Sequence, residues 1–333
     1  MTPTARGPST LPVAVALGTV YVLWGSTYLA IAYVVETLPP FLAAAARFLA
    51  AGGLLLAFLV AQDRWRRRSA AAERLIWPTR GQWLTAAIVG GLLLLGGNGM
   101  VMVGEQTVPS GIAAVIIATV PIWMNVFDAL VTRRRPSALA IGGLMAGLVG
   151  VGVLLLPSSG LDALDPFGIG VLVVATISWA AGSLVARYGE APANPLLGTG
   201  MQQLAGGVLL VAVGATLGEV GRLDPGQVSL NSVLALVYLV VFGSLAAFTA
   251  YVWLLNNVPV STVSTYAFVN PIIAVLLGLI FRSEPLTPRT LLAAAIIIGA
   301  VIAIVMGRPR SEPAEREEPR HEAPAPVPAD ETG

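Results

Sequence analysis

The chain has 333 residues, of which 56% are apolar and 11% charged, with a net charge of +1 and a mean hydropathy of +0.80. Soluble chains carry roughly a quarter charged residues and must cover their surface with polar groups, so the solvent this composition implies is a bilayer, with no aqueous domain of catalytic size. Lysine and cysteine are absent and the single histidine, His321, lies in the polar C-terminal tail, which excludes thiolate metal sites, disulfides, intramembrane histidine catalysis, lysine Schiff bases and lysine-dependent phosphate loops.

Apolar runs long enough to span a bilayer fall at about 12–34, 41–61, 82–103, 110–131, 138–156, 166–187, 195–217, 231–255, 261–281 and 289–306. The first follows Arg6 but is too long for a signal peptide and is followed by nine similar runs, so it reads as an uncleaved span. With a cytoplasmic N-terminus, the inner segments hold Arg6, Arg64, Arg66, Arg67, Arg68, Arg74, Arg80, Arg133, Arg134, Arg135, Arg187, Arg308 and Arg310, which is 13 of the 19 arginines. The outer loops hold Arg222, Arg282 and Arg289 among the acids Glu36, Glu105, Asp162, Asp165, Glu219, Asp224 and Glu284. The positive-inside rule then puts both termini in the cytoplasm and requires an even number of spans. Residues 1–11 form a short cytoplasmic lead. The segment 307–333, rich in Pro, Glu and Ala, has nothing to bury and is expected to be a disordered cytoplasmic tail.

The chain repeats itself. Trp24 and Pro40 are 16 apart, as are Trp179 and Pro195; Pro109 and Pro121 are 12 apart, as are Pro259 and Pro271. Arg135-Pro136-Ser137 and Glu284-Pro285-Leu286 lead into the last run of each half. Two five-span units follow, 12–156 and 157–306. An odd number of spans per unit sends the second copy into the membrane from the opposite side, giving an all-α integral membrane protein of ten helices in two inverted repeats. Many secondary transporters are built this way, whereas a monomeric pore needs more polar lining than these spans supply.

Trp24-Gly-Ser-Thr-Tyr-Leu-Ala-Ile, Glu36-Thr-Leu-Pro-Pro-Phe, Arg47-Phe-Leu, Gly96-Gly-Asn-Gly, Glu105-Gln-Thr-Val-Pro-Ser-Gly-Ile-Ala-Ala and Thr119-Val-Pro-Ile-Trp closely resemble the EamA branch of the drug/metabolite transporter superfamily, over about residues 12–306. The resemblance implies a ten-span protein of the bacterial inner membrane, in a family where many members export amino acids, other metabolites or toxic compounds. The tail departs from that pattern. The second half also carries the motifs faintly, with Gln202 at the place of Arg47 and Asn256 at that of Gln106.

Arg47 is the sharpest substrate candidate, an arginine about two turns into an apolar span, where charge is costly and usually faces a cavity or a partner. It either attracts an anionic group or snorkels to the headgroups and pins Glu36 or Glu105. Glu105 is either a gating or proton-coupling carboxylate or an exposed acid at a span end. Trp24, Trp179, Trp123, Tyr28 and Tyr266 fall within spans, where they either stack on a solute or pack helices. Ser26, Asn98, Gln202 and Asn270 offer hydrogen bonds to a solute or between helices. Pro121 and Pro271, mid-span, read as bends that free a carbonyl. Small residues at Gly143 and Gly147 and at Ala295, Gly299 and Ala303 suit close helix contact within one chain or in a homodimer.

The expected function is therefore secondary transport, in the export direction that the resemblance implies, of a small organic metabolite or drug-like solute. Protons are a candidate coupling ion. The sequence calls for no cofactor, metal or nucleic acid, and for no partners beyond the solute, the bilayer and a second copy. The alternative from another class is an intramembrane lipid-handling protein or enzyme with a lateral groove, marked by Glu36, Glu105 and Arg47 converging there.

Overall fold

The computed structural model describes residues 10–66, 76–133, 138–155, 164–258, 263, 265–284 and 286–306. The expected tail, most of the N-terminal lead, Pro136, Pro259 and Pro285 lie outside the described residues. Those that are described form helices and turns, with no strand among them. Helix α1 is Thr10–Val34, α2 Pro40–Arg66, α3 Arg80–Gly104, α4 Ser110–Ile117, α5 Val120–Thr132, α6 Ala138–Leu155, α7 Pro166–Tyr188 and α8 Pro195–Thr216. The short α9, Glu219–Arg222, precedes α10, which runs through Leu230–Tyr238, Leu239–Ala247 and Phe248–Asn257, then α11, Tyr266–Arg282, and α12, Pro288–Met306.

Six of these runs are long and apolar enough to cross a membrane, namely Thr10–Val34, Pro40–Arg66, Arg80–Gly104, Pro166–Tyr188, Pro195–Thr216 and Leu230–Leu254. Shorter apolar stretches cover Ser110–Met124, Val269–Arg282 and Pro288–Ala300. The outward faces are apolar as well, with Leu54, Phe58, Val149, Val237, Ile280 and Leu292 all exposed. On a water-soluble surface so many would be an anomaly, but on a surface facing lipid tails they are the expected solvation.

Local chemistry starts the helices where the sequence allows. Asp165 and Asn194 each cap a helix whose first residue is proline, accepting backbone N–H groups of Phe167 and Gly168 and of Leu196 and Leu197; proline is suited to that position because its missing N–H has no helical role there. Thr79 and Gln82 close a capping box at the start of α3.

Two features differ from the sequence reading. The run 110–131 is not one helix, since it breaks at Ala118 and Thr119, and Pro121 stands in the first turn of α5. Pro121 therefore starts a segment and does not bend a continuous one, because the fixed φ and absent N–H are tolerated there. Pro271 does lie inside a helix, α11, so the Ala267 carbonyl lacks its usual helical donor. The second difference is that α3 and α10 each widen to a π-helix in their middle, over Gly90–Gly99 and Leu239–Ala247, a form that often marks functional sites.

Packing pairs α2 with α8, α6 with α12, α1 with α11 and α7 with the π segment of α3. α3 and α8 approach each other backbone to backbone. A Cβ at Gly90 would lie 2.6 Å from the Gln202 carbonyl oxygen and 2.7 Å from the Gly206 nitrogen, and one at Gly206 would lie 2.8 Å from the Gly90 carbonyl oxygen.

Candidate functional site

The helices enclose a central cavity that brings together much of the expected set. Trp24, Tyr28, Arg47, Asn98, Trp179, Tyr266 and Asn270 all line it, with Thr27, Phe48 and Phe248 beside them. Its water-accessible space is about 60 Å³, and a water needs about 10–15 Å³ on that measure, so it has room for a few waters and is too small for an organic solute.

The aromatic wall is one connected cluster. The Trp24 ring meets Trp179 edge-on at 6.0 Å between centroids, Tyr266 at 5.3 Å and Tyr251 at 4.8 Å. Trp24 Nε1 donates to the Gly243 carbonyl at 3.2 Å, within the α10 π segment. Trp179 Nε1 is buried and makes no hydrogen bond of normal geometry.

Arg47 is 3% exposed. Its Nε donates to Ser244 Oγ at 2.8 Å, Nη1 points to Asn98 Oδ1 at 3.5 Å, and the guanidinium lies 4.8 Å from the Phe48 ring centroid. All of these partners are neutral. Space for the guanidinium comes from Gly243, where a Cβ would lie 2.8 Å from Arg47 Nη2. Asn270 turns its amide nitrogen toward the Tyr266 and Tyr21 carbonyls, at 3.2 and 3.1 Å.

Three expected residues lie elsewhere. Ser26 is on another face of α1, bonded to Leu23 O and to the Tyr238 hydroxyl. Trp123 and Gln202 are half-buried and do not line the cavity. Next to Gln202, Gln203 is fully buried, with Nε2 3.4 Å from the Ser244 carbonyl and Oε1 without a partner. The signal was present: Thr199, Gln203, Gly206, Leu210 and Gly214 are spaced as one buried face of α8, and matching the halves residue by residue shifted that face by one position.

The two ends of the bundle differ. At the acidic end, bonds join residues before 155 to residues after 164 in close succession. Arg282 pairs with Glu36 and lies over the Tyr33 ring, Tyr33 donates to Phe281 O at 3.2 Å, and Thr37 donates to Ser232 Oγ at 2.7 Å. Two carboxylates cap helices far away in the sequence. Glu219, 2% exposed, accepts the Phe41 and Leu42 N–H groups at 3.2 and 2.9 Å; Glu284 accepts the Ser110 N–H, the Ser110 hydroxyl and the Gly111 N–H at 3.1, 2.8 and 3.2 Å. Such charged caps satisfy orphan donors and favour the helix dipole. Asp165 accepts from Thr107 at 2.7 Å. That hydroxyl first, and the Gly168 and Phe167 N–H groups with it, hold the Asp165 carboxyl below its ordinary value against desolvation.

Glu105 is the exception among these acids. It is 7% exposed, and neither carboxylate oxygen has a hydrogen-bond partner. Burial first, and the neighbouring Glu284 second, hold its carboxyl well above the ordinary carboxylate range, with Arg282 pulling the other way. Of the two readings of Glu105, the exposed acid at a span end does not hold, because the turn after α3 folds the side chain inward.

At the arginine end, by contrast, a vestibule with about 940 Å³ of water-accessible space opens between Gln62, Asp63 and Arg66 of α2, Asn194 before α8, and Trp253 and Asn257 of α10. Gln82 donates to the Ala191 carbonyl there at 3.2 Å, a long-range bond.

The caps at the acidic end give a direct test. Glu219→Ala leaves the Phe41 and Leu42 N–H groups buried without an acceptor, which costs about 1–3 kcal/mol. A thermal-unfolding midpoint several degrees below the parent is expected, with Glu219→Asp recovering part of it.

A helical membrane bundle with a closed central cavity and, among the described residues, a vestibule open at one end has the form of a transporter. The chain belongs to the EamA-like transporter family, whose model matches residues 12–156 and 166–306. It is 40% identical over 299 residues to the uncharacterized inner membrane transporter YedA of Escherichia coli, covering 90% of this chain and 92% of that one. Protein PecM of Dickeya dadantii is 27% identical over 85% of this chain and 88% of its own, and a WAT1-related chloroplastic protein of Arabidopsis thaliana is 26% identical over 85% and 67%. A solved crystal structure superposes with a TM-score of 0.58 at 20% identity, covering 90% of this chain and 98% of that chain, which shows the fold.

Proposed function

We propose that the chain is a ten-span secondary carrier of two inverted five-helix repeats, moving a small organic solute with an anionic group and an apolar body across the inner membrane. The observation that carries this reading is Arg47, a buried cation whose partners are all neutral, set in an aromatic cavity. A guanidinium in that setting is an electrostatic deficit that a solute carboxylate would fill with a bidentate, charge-assisted contact. The adjoining Trp24 and Trp179 rings suit the apolar part, as in an amino acid with a large side chain.

Several structural correspondences support the inverted repeat. The π segments begin within one residue of the same depth of α3 and α10, and Arg133 and Ser283, 150 residues apart, are both left-handed caps after equivalent helices. Helix contacts also exchange when the halves are swapped, since α1 packs on α11 as α7 packs on α5, and α1 on α10 as α7 on α3. The acidic end is the outer side by arginine distribution. The state described is then closed outside, with its vestibule turned to the cytoplasm, which suits loading for export. Opening would separate the cross-half bonds around Glu36, Arg282 and Glu219, with the break before Pro121 and the interruption at Pro271 as pliant points.

The lipid-handling alternative has less support. A lateral groove lined by Ser26, Tyr33, Asn231 and Tyr238 opens between α1 and α10, but Glu36, Glu105 and Arg47 are all absent from its walls. Thermal shift of the purified protein tests the solute class. Aromatic and branched amino acids should raise the unfolding midpoint by mass action, whereas the corresponding amines, lacking the carboxylate, should not. Stabilisation by the amines alone would reverse the assignment of Arg47.

A further inference from the structure

Glu105 remains without a structural task. The other acids at its end of the bundle are engaged: Glu284 caps α4, Glu219 caps α2, Asp165 caps α7 and holds Thr107, and Glu36 pairs with Arg282. The charged groups that act on Glu105 are Glu284, in the turn before α12, and Arg282, at the end of α11, while Tyr28 of α1 lies within reach of its charge. From α2, Arg47 is bound to Ser244 and Asn98 and is not a partner of Glu105. Arg282 is itself shared between Glu36 and Glu284, at 3.7 Å from the latter. An ionised carboxylate enclosed in this way is disfavoured, because both oxygens are buried without a hydrogen-bond donor.

We propose that the Glu105 carboxyl is a proton-binding site of the acidic-end gate, taking up a proton as the gate closes over it and releasing one as the gate opens. The idea rests on the carrier reading above and adds its regulation. Closure removes Glu105 from water and sets it beside Glu284, so the closed state holds the proton more tightly than the open, hydrated state, where the ordinary value of about 4.3 applies. The closed state therefore binds more protons. Rising pH favours opening by up to tenfold per pH unit between the ordinary value and the raised one, with no dependence below the ordinary value.

The chain has no cysteine, so single cysteines report without background. Ile31→Cys sits on α1, 2% exposed and lining the cavity, and Gln227→Cys sits in an exposed acidic-end turn as the reference. Each is labelled in intact cells with a membrane-impermeant methanethiosulfonate from pH 5.5 to 8.5. The ratio of the Ile31→Cys rate to the reference should rise at least tenfold across that range. Adding Glu105→Gln should hold the ratio at its low-pH value throughout, and Glu105→Asp should restore the pH dependence. A Glu105→Gln profile that tracks the parent, with reference labelling unchanged, overturns the proposal, as does a flat parent profile. Counterflow by the same protein separates the two readings: solute exchange with flat labelling removes the proton site alone, while neither exchange nor labelling at any pH removes the carrier reading with it.

Discussion

Arg47→Ala is expected to abolish carboxylate binding and exchange while leaving the folded yield equal to or above that of the parent. The two halves of this expectation come from one geometry. A buried guanidinium whose contacts are Ser244, Asn98 and the Phe48 ring is costly to insert, by about 2.5–3.5 kcal/mol on insertion scales, so alanine relieves the apo protein. Removing one partner of a desolvated charge pair costs the complex about 2–5 kcal/mol, or a factor of about 30 to several thousand in affinity. Arg47→Lys should recover only part of this, since an ammonium cannot reproduce the planar fork or its stacking on Phe48. Reconstituted uptake and detergent-extracted yield, measured together, check it. A loss of yield with normal specific exchange would make Arg47 a structural residue.

Gly90→Val is the largest expected folding defect. The added Cβ would lie 2.6 Å from the Gln202 carbonyl oxygen and 2.7 Å from the Gly206 nitrogen. Both are backbone atoms of α8, so relief requires the helices to part. Overpacking usually costs about 1–3 kcal/mol when side chains can adjust, and this substitution should reach the top of that range or exceed it, because close contact of small residues is the main adhesion between helices in lipid. Gly53→Val is the control, as its Cβ would meet nothing within 4 Å. Monodisperse yield should collapse for the first and hold for the second; equal yields would mean that α3 and α8 are not in backbone contact.

The apolar runs were legible because a lipid-facing helix needs a long apolar stretch, and that is written locally. Trp24 and Trp179 were legible through their common spacing to Pro40 and Pro195, and the structure brings their rings within 6.0 Å. Arg47 was legible through the cost of its position. The break before Pro121 and the two π segments were not, since they depend on which neighbour each backbone group meets. Glu219 and Glu284 looked like loop acids, because their acceptor role requires the N-termini of α2 and α4, brought to them from far away in the sequence. For Glu105 the sequence left burial and exposure open for the same reason: sequence position gives its depth along the bundle, while the fold of the turn decides its burial. Ser26 and Gln202 lie on helices that border the cavity but do not line it, since about 100° per residue separates neighbouring helix faces.

Counterflow in liposomes reconstituted with the full chain tests carrier action most directly. Vesicles loaded with an unlabelled aromatic or branched amino acid, diluted into trace radiolabelled solute, should show transient uphill accumulation of label that saturates with solute and is absent in Arg47→Ala vesicles. Label that equilibrates no faster than in protein-free vesicles across the amino acid panel, from protein shown to be folded, would contradict a carrier for carboxylate solutes centred on Arg47.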